Sequence, residues 1–581
     1  ASTAAITAGT LTVQAVNGAL LANDSNNVST FNATTSGTSM VSYWNAGSFA
    51  AGPISVGGSL ELKTNGGNLT QSGAMSTGGS GDTVTIVAGS GNVTLGNSGN
   101  NLHNLTVSSG GAVSVKNASA IGVGPVSAGS FQLKSGGSIT QTATIGTTAG
   151  GVDIEAAAGS ITSGSAVSAT GGVVRLSASS GMTLTGPGIS SDAPGDAVSL
   201  ILTGGLMSVS SPVTTSGSGG RWLAYVPSFT SHVFPTGWAF KQVNATYGST
   251  VLGSGNGVLV ANAPVLIFSA GSMTGSVTKV YDGGTGISLA GATLPAVTGG
   301  AIDGDVVSGA IVSGGSGSLD DRNVGSNKVV TASGMSVTGV TTSIGLGSKP
   351  VYGYQVPTAT GSIGTVTQRP TSVWSGGGAG NAWSSAANWD ALPDGVNVAN
   401  VIIPAGVGPI IFDGSVAETI LQSLVSGSPI SVSAGALQIS SVLSTAGLAQ
   451  TGGSISGLGS LTVNGPFNQT GGTIDMASVD VTTPTGGIVF SNLKAVKVSL
   501  TASNGSIAQL GRVSTGTLTT SSSGGTLLND SGNQVTSFGA SNSGTGNVEL
   551  TNVGALSIAA ISNTGGNIAV SNTGGVSTIG T

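Results

Sequence analysis

The sequence predicts an all-β chain of two right-handed parallel β-helix segments separated by a small β-sandwich-like or β-grasp-like module. Three observations point there: short runs alternate apolar and polar residues, the runs recur every 21 to 26 residues, and a second series follows the first in phase. Alternation of period two buries one face of a strand and leaves the other in water. A repeat of about twenty-two residues holding two or three strands is the pattern of a β-solenoid.

Residues 1–215 form the first predicted β-helix. Its leading series is SLEL at 59–62, TVTIV at 83–87, NLTV at 104–107, SFQL at 130–133, VDIE at 152–155, VVRL at 173–176 and AVSLIL at 197–202. The companion series is NLTQ at 68, NVTL at 92, AVSV at 112, SITQ at 138, SITS at 160, MTLT at 182 and LMSV at 206. NGG and SGG corners join them, since glycine adopts positive φ at little cost. This period places Gln132, Asp153 and Arg175 in one outward column and Lys134 with Glu155 in the next. Such a column reads first as a solvated ion-pair stack worth a few tenths of a kcal/mol, and second as a ladder for a ligand.

Residues 216–265 are a capping and connecting segment dense in aromatics, among them Trp222, Tyr225, Trp238 and Tyr247. A solenoid end exposes strand edges and open core, which bulky residues cover; the same four are candidates for stacking on sugars. Residues 266–370 have a different texture and are assigned to the central β module. Residues 371–405 are a connector in which Trp374, Trp383 and Trp389 are candidate capping or ligand-binding residues. From 406 to 581 the coils return, with ALQI at 436, SLTV at 460, VKVSL at 496, NVEL at 547 and NIAV at 567. This second β-helix is expected to continue further or to stack on another copy.

The words LLANDSNNVSTFNATTSGTS from Leu20 and LLNDSGNQVTSFGASNSGTG from Leu527 repeat at an offset of 507. Val28, Phe31, Ala33 and Asn45 keep that register with Val535, Phe538, Ala540 and Asn552.

Composition narrows function. With 14 Lys and Arg and 20 Asp and Glu in 581 residues, the chain has a net charge of only −6 and no basic patch, so nucleic acid is not an expected partner. It has no cysteine, which removes disulfides and thiolate metal sites. No apolar run is long enough for a spanning helix, and ASTAAITAGT lacks the features of a signal peptide. His103 and His232 stand apart and in no metal-binding motif, and IDGD at 302–305 is short of ligands for calcium. The candidate cluster of the first β-helix is Asp153, Glu155 and Arg175 with no second acid column beside them, too few for the converging carboxylates of a polysaccharide-cleaving β-helix. The expectation is a protein that is not an enzyme, with no catalytic residues, no cofactor and no metal. Sequons such as Asn68-Leu-Thr and Asn92-Val-Thr leave glycosylation open.

The words KVYDGGTG, LAGATL, IDGDVVSG and GSLDDRNVGSNKVVTASGMSVTG, within 279–339, resemble the YDG module of large filamentous-haemagglutinin-like exoproteins of Gram-negative bacteria. RWLAYVPS and FKQVNATYGSTVLGSGNG, within 221–257, are similar to the segment such adhesins place before that module. The resemblance implies a secreted or surface-anchored adhesin, extracellular or outer-membrane-associated, exported by an outer-membrane two-partner-secretion transporter. The secretion domain that such a transporter recognises is not evident, and no RGD tripeptide occurs, so the chain looks like an interior stalk and display segment. Surface glycans or exopolysaccharide are candidate partners, acting through many weak contacts. Self-association into an end-to-end fibre is the first alternative, and a polysaccharide-cleaving β-helix the second.

Overall fold

The structure is a computed structural model that describes residues 4–344, 347–416 and 418–579. It is all-β, and its chain divides into two compact units: residues 1–270, 296–314 and 335–357 in one, and 271–295, 315–334 and 358–581 in the other. Each is built around a parallel β-solenoid.

In the first unit one column of parallel strands climbs from Thr7–Ala15 through Asn27–Thr35 and Phe49–Val56. After Leu69–Gln71 and Val93–Leu95 it continues through Ala112–Asn117, Ser130–Ser135, Val152–Ala156, Val174–Ala178, Asp196–Leu202 and Arg221–Val226. The second column runs from Ala19–Leu21 through Val41–Asn45, Leu60–Thr64, Thr83–Gly89 and Asn104–Ser109 to Ile121–Ala128. There it forks into two lines of shorter strands that end at Leu206–Val209 and Val213–Thr215.

Each series read from sequence therefore changes column once. SLEL, TVTIV and NLTV lie in the second column, whereas SFQL, VDIE, VVRL and AVSLIL lie in the first. The slip falls at Ile121–Ala128, whose sequence IGVGPVSA hides a strand behind two glycines and a proline that interrupt the alternation.

Pairing is in register, so like residues stack inward. Val113, Phe131, Val152, Val174, Val198 and Trp222 form one interior file, and none is more than 2% exposed. Val115, Leu133, Ile154, Leu176, Leu200 and Ala224 form the next. Corners demand glycine where coils touch: Gly205 has φ +75°, and a Cβ there would lie 1.9 Å from the Ser180 carbonyl oxygen.

Buried amides close the turns. Asn26, Asn100 and Asn533 are each fully buried. The Nδ2 of each donates to the carbonyl five residues back, Leu21, Leu95 or Leu528, and to a carbonyl on the following coil, Trp44, Lys116 or Thr551. The Oδ1 of each accepts from an N–H on the preceding coil, Ile6, Met75 or Val513. Asn26 and Asn533 belong to the duplicated words; LGNSGNN at 95–101 is a third copy that the long-period comparison does not reveal.

In the second unit one column runs from Arg369–Val373 through Val398–Ile403, Thr419–Ser426 and Ala436–Thr445 to Thr473–Thr483, Asn492–Ala502, Val513–Ser522, Gln534–Asn542 and Leu556–Asn563. Its companion climbs from Ile410–Asp413 to Ile568–Asn572. The duplicated words fold alike: Asn27–Thr35, Val41–Asn45 and Phe49–Val56 correspond to Gln534–Asn542, Val548–Asn552 and Leu556–Asn563.

Residues 266–370 are shared between the units. In the first, Asp305–Val306 pairs antiparallel with Thr341–Thr342, and Lys349–Tyr352 lies parallel to Phe240–Gln242, which joins the solenoid column. In the second, Val277–Val280 lies parallel to Ala359–Thr367, whose opposite edge pairs antiparallel with residues 325–332.

Candidate functional site

The outward face of the first column carries the polar file expected from the period. Ser114, Gln132, Asp153, Arg175 and Ser199 are direct neighbours on successive rungs, and Lys134 faces Glu155. Ser114 Oγ donates to Gln132 Oε1 at 3.0 Å, Gln132 Nε2 to Asp153 Oδ2 at 3.3 Å, and Arg175 to Asp153 Oδ1 at 2.7 Å. Arg175 also approaches Glu155 at 3.8 Å, which Lys134 holds at 2.7 Å. Burial works against the Arg175 charge, but the hydrogen bond to Asp153 and the two carboxylates outweigh it and raise its pKa.

This file is the floor of an open groove of about 930 Å³, walled at one end by Tyr225 and by the loop Tyr247–Ser249. The Tyr247 ring lies 5.4 Å from the Arg175 guanidinium and meets Tyr225 edge to face, also at 5.4 Å. Burial, then the nearby Asp196, push the Tyr225 hydroxyl up to about 12; Asp196 is itself held by Arg221 at 2.6 Å. The groove thus offers an aromatic face, 51% exposed at Tyr247, beside a run of donors and acceptors. Sequence spacing supplied the file and aromatic density supplied the tyrosines, but only the fold brings Tyr247 over Arg175.

The other aromatic candidates are placed differently. Trp222 is an interior rung, 1% exposed. Trp238 packs half-buried on Phe229, beneath the Lys349 ammonium at 3.9 Å. Trp374, Trp383 and Trp389 are buried and packed edge to face on one another and on Phe412. Trp383 Nε1 donates to the Pro393 carbonyl and Trp389 Nε1 to that of Trp383, so the polar edges of these two are spent inside the protein, whereas Trp374 Nε1 is buried without a partner. His103 Nδ1 meets the Thr77 hydroxyl at 3.0 Å. His232 accepts from the Met207 N–H at 2.9 Å, and burial lowers its pKa.

The YDG word works as an anchor. Tyr281 is fully buried and donates to Asp394 Oδ1 at 3.0 Å and to the Leu392 carbonyl at 3.1 Å; burial and the Asp394 charge raise its pKa. Asp394 is held further by Arg322 and Asn397. Burial opposes ionisation of Asp282, but hydrogen bonds from Lys279 Nζ and the Gly284 N–H outweigh it and lower its pKa. IDGD has a partner that sequence reasoning missed: Lys241, whose ammonium lies 2.8 Å from Asp305 and 3.3 Å from Asp303. A lysine between Phe240 and Gln242 in AFKQV gives no local sign of it.

Fold and groove together define a β-solenoid repeat protein with a polar, aromatic-walled outer surface. Comparison with known families adds two matches: the YDG domain over residues 268–343, and repeats of unknown function (DUF5649) over residues 37–109 and again over 110–177. No curated protein and no solved structure matches the chain. The YDG match encloses the words at 279–339, and the two adjoining repeats each span several coils of the first solenoid. Among the described residues no helix is long and apolar enough to cross a membrane, which says nothing of a β-barrel.

Proposed function

We propose that the chain is a structural stalk and display segment of a large secreted or surface-anchored bacterial adhesin. In this role it acts by reach and by many weak contacts, without chemistry, outside a Gram-negative cell that exports it by two-partner secretion. The observation that carries the reading is the in-register polar file on the solenoid wall, ending under an exposed tyrosine. Hydroxyl, amide and guanidinium groups spaced one rung apart, about 4.8 Å, suit the repeating hydroxyls of a surface glycan or exopolysaccharide, and Tyr247 supplies a face for a sugar ring. Linked weak sites of this kind gain avidity without one strong contact.

Supporting the non-catalytic reading, Asp153 is engaged by both Arg175 and Gln132, and Glu155 by Lys134 and Arg175. Carboxylates neutralised in this way are poorly poised as a general acid and base. The test is binding of the purified chain to immobilised glycans and exopolysaccharides, alongside the Tyr247→Ala and Arg175→Gln variants. Retention that falls several-fold in both variants supports the reading, and retention indifferent to both overturns the groove as the contact. Sugar release from the same polysaccharides, abolished by Asp153→Asn, would instead establish an enzyme.

A further inference from the structure

The buried cluster around Lys241 holds the reactants for a covalent bond. The lysine sits on Phe240–Gln242, a strand hydrogen-bonded on both sides by Gly257–Val260 and Lys349–Tyr352. Its side chain and that of Asp305 are both 0% exposed, and Asp303 is 12% exposed. The ammonium lies 4.4 Å from the centre of the Phe229 ring, so one side of it is hydrocarbon. Tyr354 donates its hydroxyl to Asp305 Oδ2 at 2.7 Å, while Asp305 Oδ1 is buried without a hydrogen-bond partner.

A plain ion pair accounts poorly for this arrangement. Two carboxylates face one cation, and an ionised carboxylate with one oxygen unpaired in a dry site is costly. An amine, a carboxyl group and a second acid, with the two reacting side chains buried from bulk solvent, are the ingredients of condensation. The nitrogen lies 2.8 Å from Asp305 Oδ2, the oxygen bonded to the carbon it would attack, and bonds form from separations of about 3–3.5 Å between reacting atoms.

We propose that Lys241 and Asp305 condense into an intramolecular amide, with Asp303 relaying protons. Lys241 first passes a proton to Asp305 Oδ2, the oxygen 2.8 Å from its nitrogen, which gives an amine and a carboxylic acid. The nitrogen lone pair adds to Cγ of Asp305, forming the N–C bond, and negative charge gathers on Oδ1. Asp303 takes a second proton from the nitrogen and delivers it to Oδ2. The Cγ–Oδ2 bond then breaks with the Tyr354 hydroxyl hydrogen-bonded to the departing oxygen, Oδ2 leaves as water with both protons, and Oδ1 becomes the amide oxygen. One water is lost, no atom changes oxidation state, and no co-reactant is consumed. The product locks residues 64 apart in the chain and ties part of the YDG match to the solenoid column.

The test is the intact mass of the full chain, purified and denatured. The expected chain is lighter than its sequence by one water, and its digest contains a branched peptide joining the segments of Lys241 and Asp305. Lys241→Arg, which retains a cation but cannot form the amide, restores the sequence mass. Asp305→Asn condenses with loss of ammonia in place of water. Asp303→Asn leaves both reacting groups in place and recovers the sequence mass or loses water slowly; loss at the wild-type rate removes Asp303 as the relay. Wild-type chain with β-sheet circular dichroism and an unaltered sequence mass overturns the proposal and leaves a buried ion pair.

Discussion

At the scale of single residues, the fold depends on buried amides more than on charges. Asn533 satisfies two carbonyls and one N–H across three successive coils. It also pairs with Gln509 on the coil below, through Oδ1 at 2.8 Å and Nδ2 at 2.9 Å. Truncation strands these groups without water, at about 1–3 kcal/mol for each buried group left unpaired. Asn533→Ala is therefore expected to lower stability by about 2–3 kcal/mol in denaturant titrations. Asn533→Asp should cost at least as much, since it turns a donor to two carbonyls into an acceptor. Asp390 sets the acid limit of the Trp cluster. Burial opposes its charge, but the Val373 N–H, the Ser372 hydroxyl and Arg369 outweigh that and lower its pKa. A carboxylate whose folded pKa is depressed contributes stability above its unfolded value of about 3.9 and loses it as pH falls through the folded value. Acid should therefore unpack Trp374, Trp383 and Trp389, seen as a fluorescence red shift below about pH 4, and Asp390→Asn should reduce the pH dependence of that shift.

At the scale of the element, a rung is stable because its neighbours share its interior file. Leu176 is 1% exposed between Ile154 and Leu200, and Leu176→Ala should cost about 2–5 kcal/mol. In a solenoid each repeat touches only the adjacent ones. Hydrogen exchange should accordingly quicken at Val152–Ala156, Val174–Ala178 and Asp196–Leu202 and stay unchanged at Asn104–Ser109; uniform loss of protection would contradict nearest-neighbour coupling. Rungs were readable from sequence wherever alternation was clean, as in VDIE and VVRL. Ile121–Ala128 was not, because Gly122, Gly124 and Pro125 disguise a strand that side-chain alternation alone cannot reveal. The aromatic segment shows the same limit. Trp222 extends an interior file set by strands before it, and the order of the next strands is reversed, Gly257–Val260 lying between Arg221–Val226 and Phe240–Gln242. Phe240 fits because Gly253 and Gly257 line its ring, where a Cβ would come within 2.3 and 2.1 Å of its carbons.

At the scale of the whole molecule, two compact units and quasi-one-dimensional packing argue against a single cooperative transition. Trp44, Trp222 and Trp238 report on one unit and Trp374, Trp383 and Trp389 on the other. Unfolding followed by tryptophan fluorescence and by circular dichroism should not superimpose, and Leu176→Ala should shift one phase while leaving the other in place. Coincident curves would instead establish one cooperative body.

The sequence by itself determined the strand period, the alternation, the outward file of Gln132, Asp153 and Arg175, and the matching coils at 27–56 and 534–563. These follow from neighbour-to-neighbour geometry, because in-register parallel pairing at a nearly fixed period converts spacing along the chain directly into position on the wall. Only the tertiary structure decided that Tyr247 closes over Arg175, that Tyr281 anchors on Asp394, and that Lys241 is enclosed with Asp303 and Asp305. Those contacts join segments whose separation bears no relation to the coil period, so no local pattern records them; charge pairing, hydrogen bonding and ring contact made on folding define the partners.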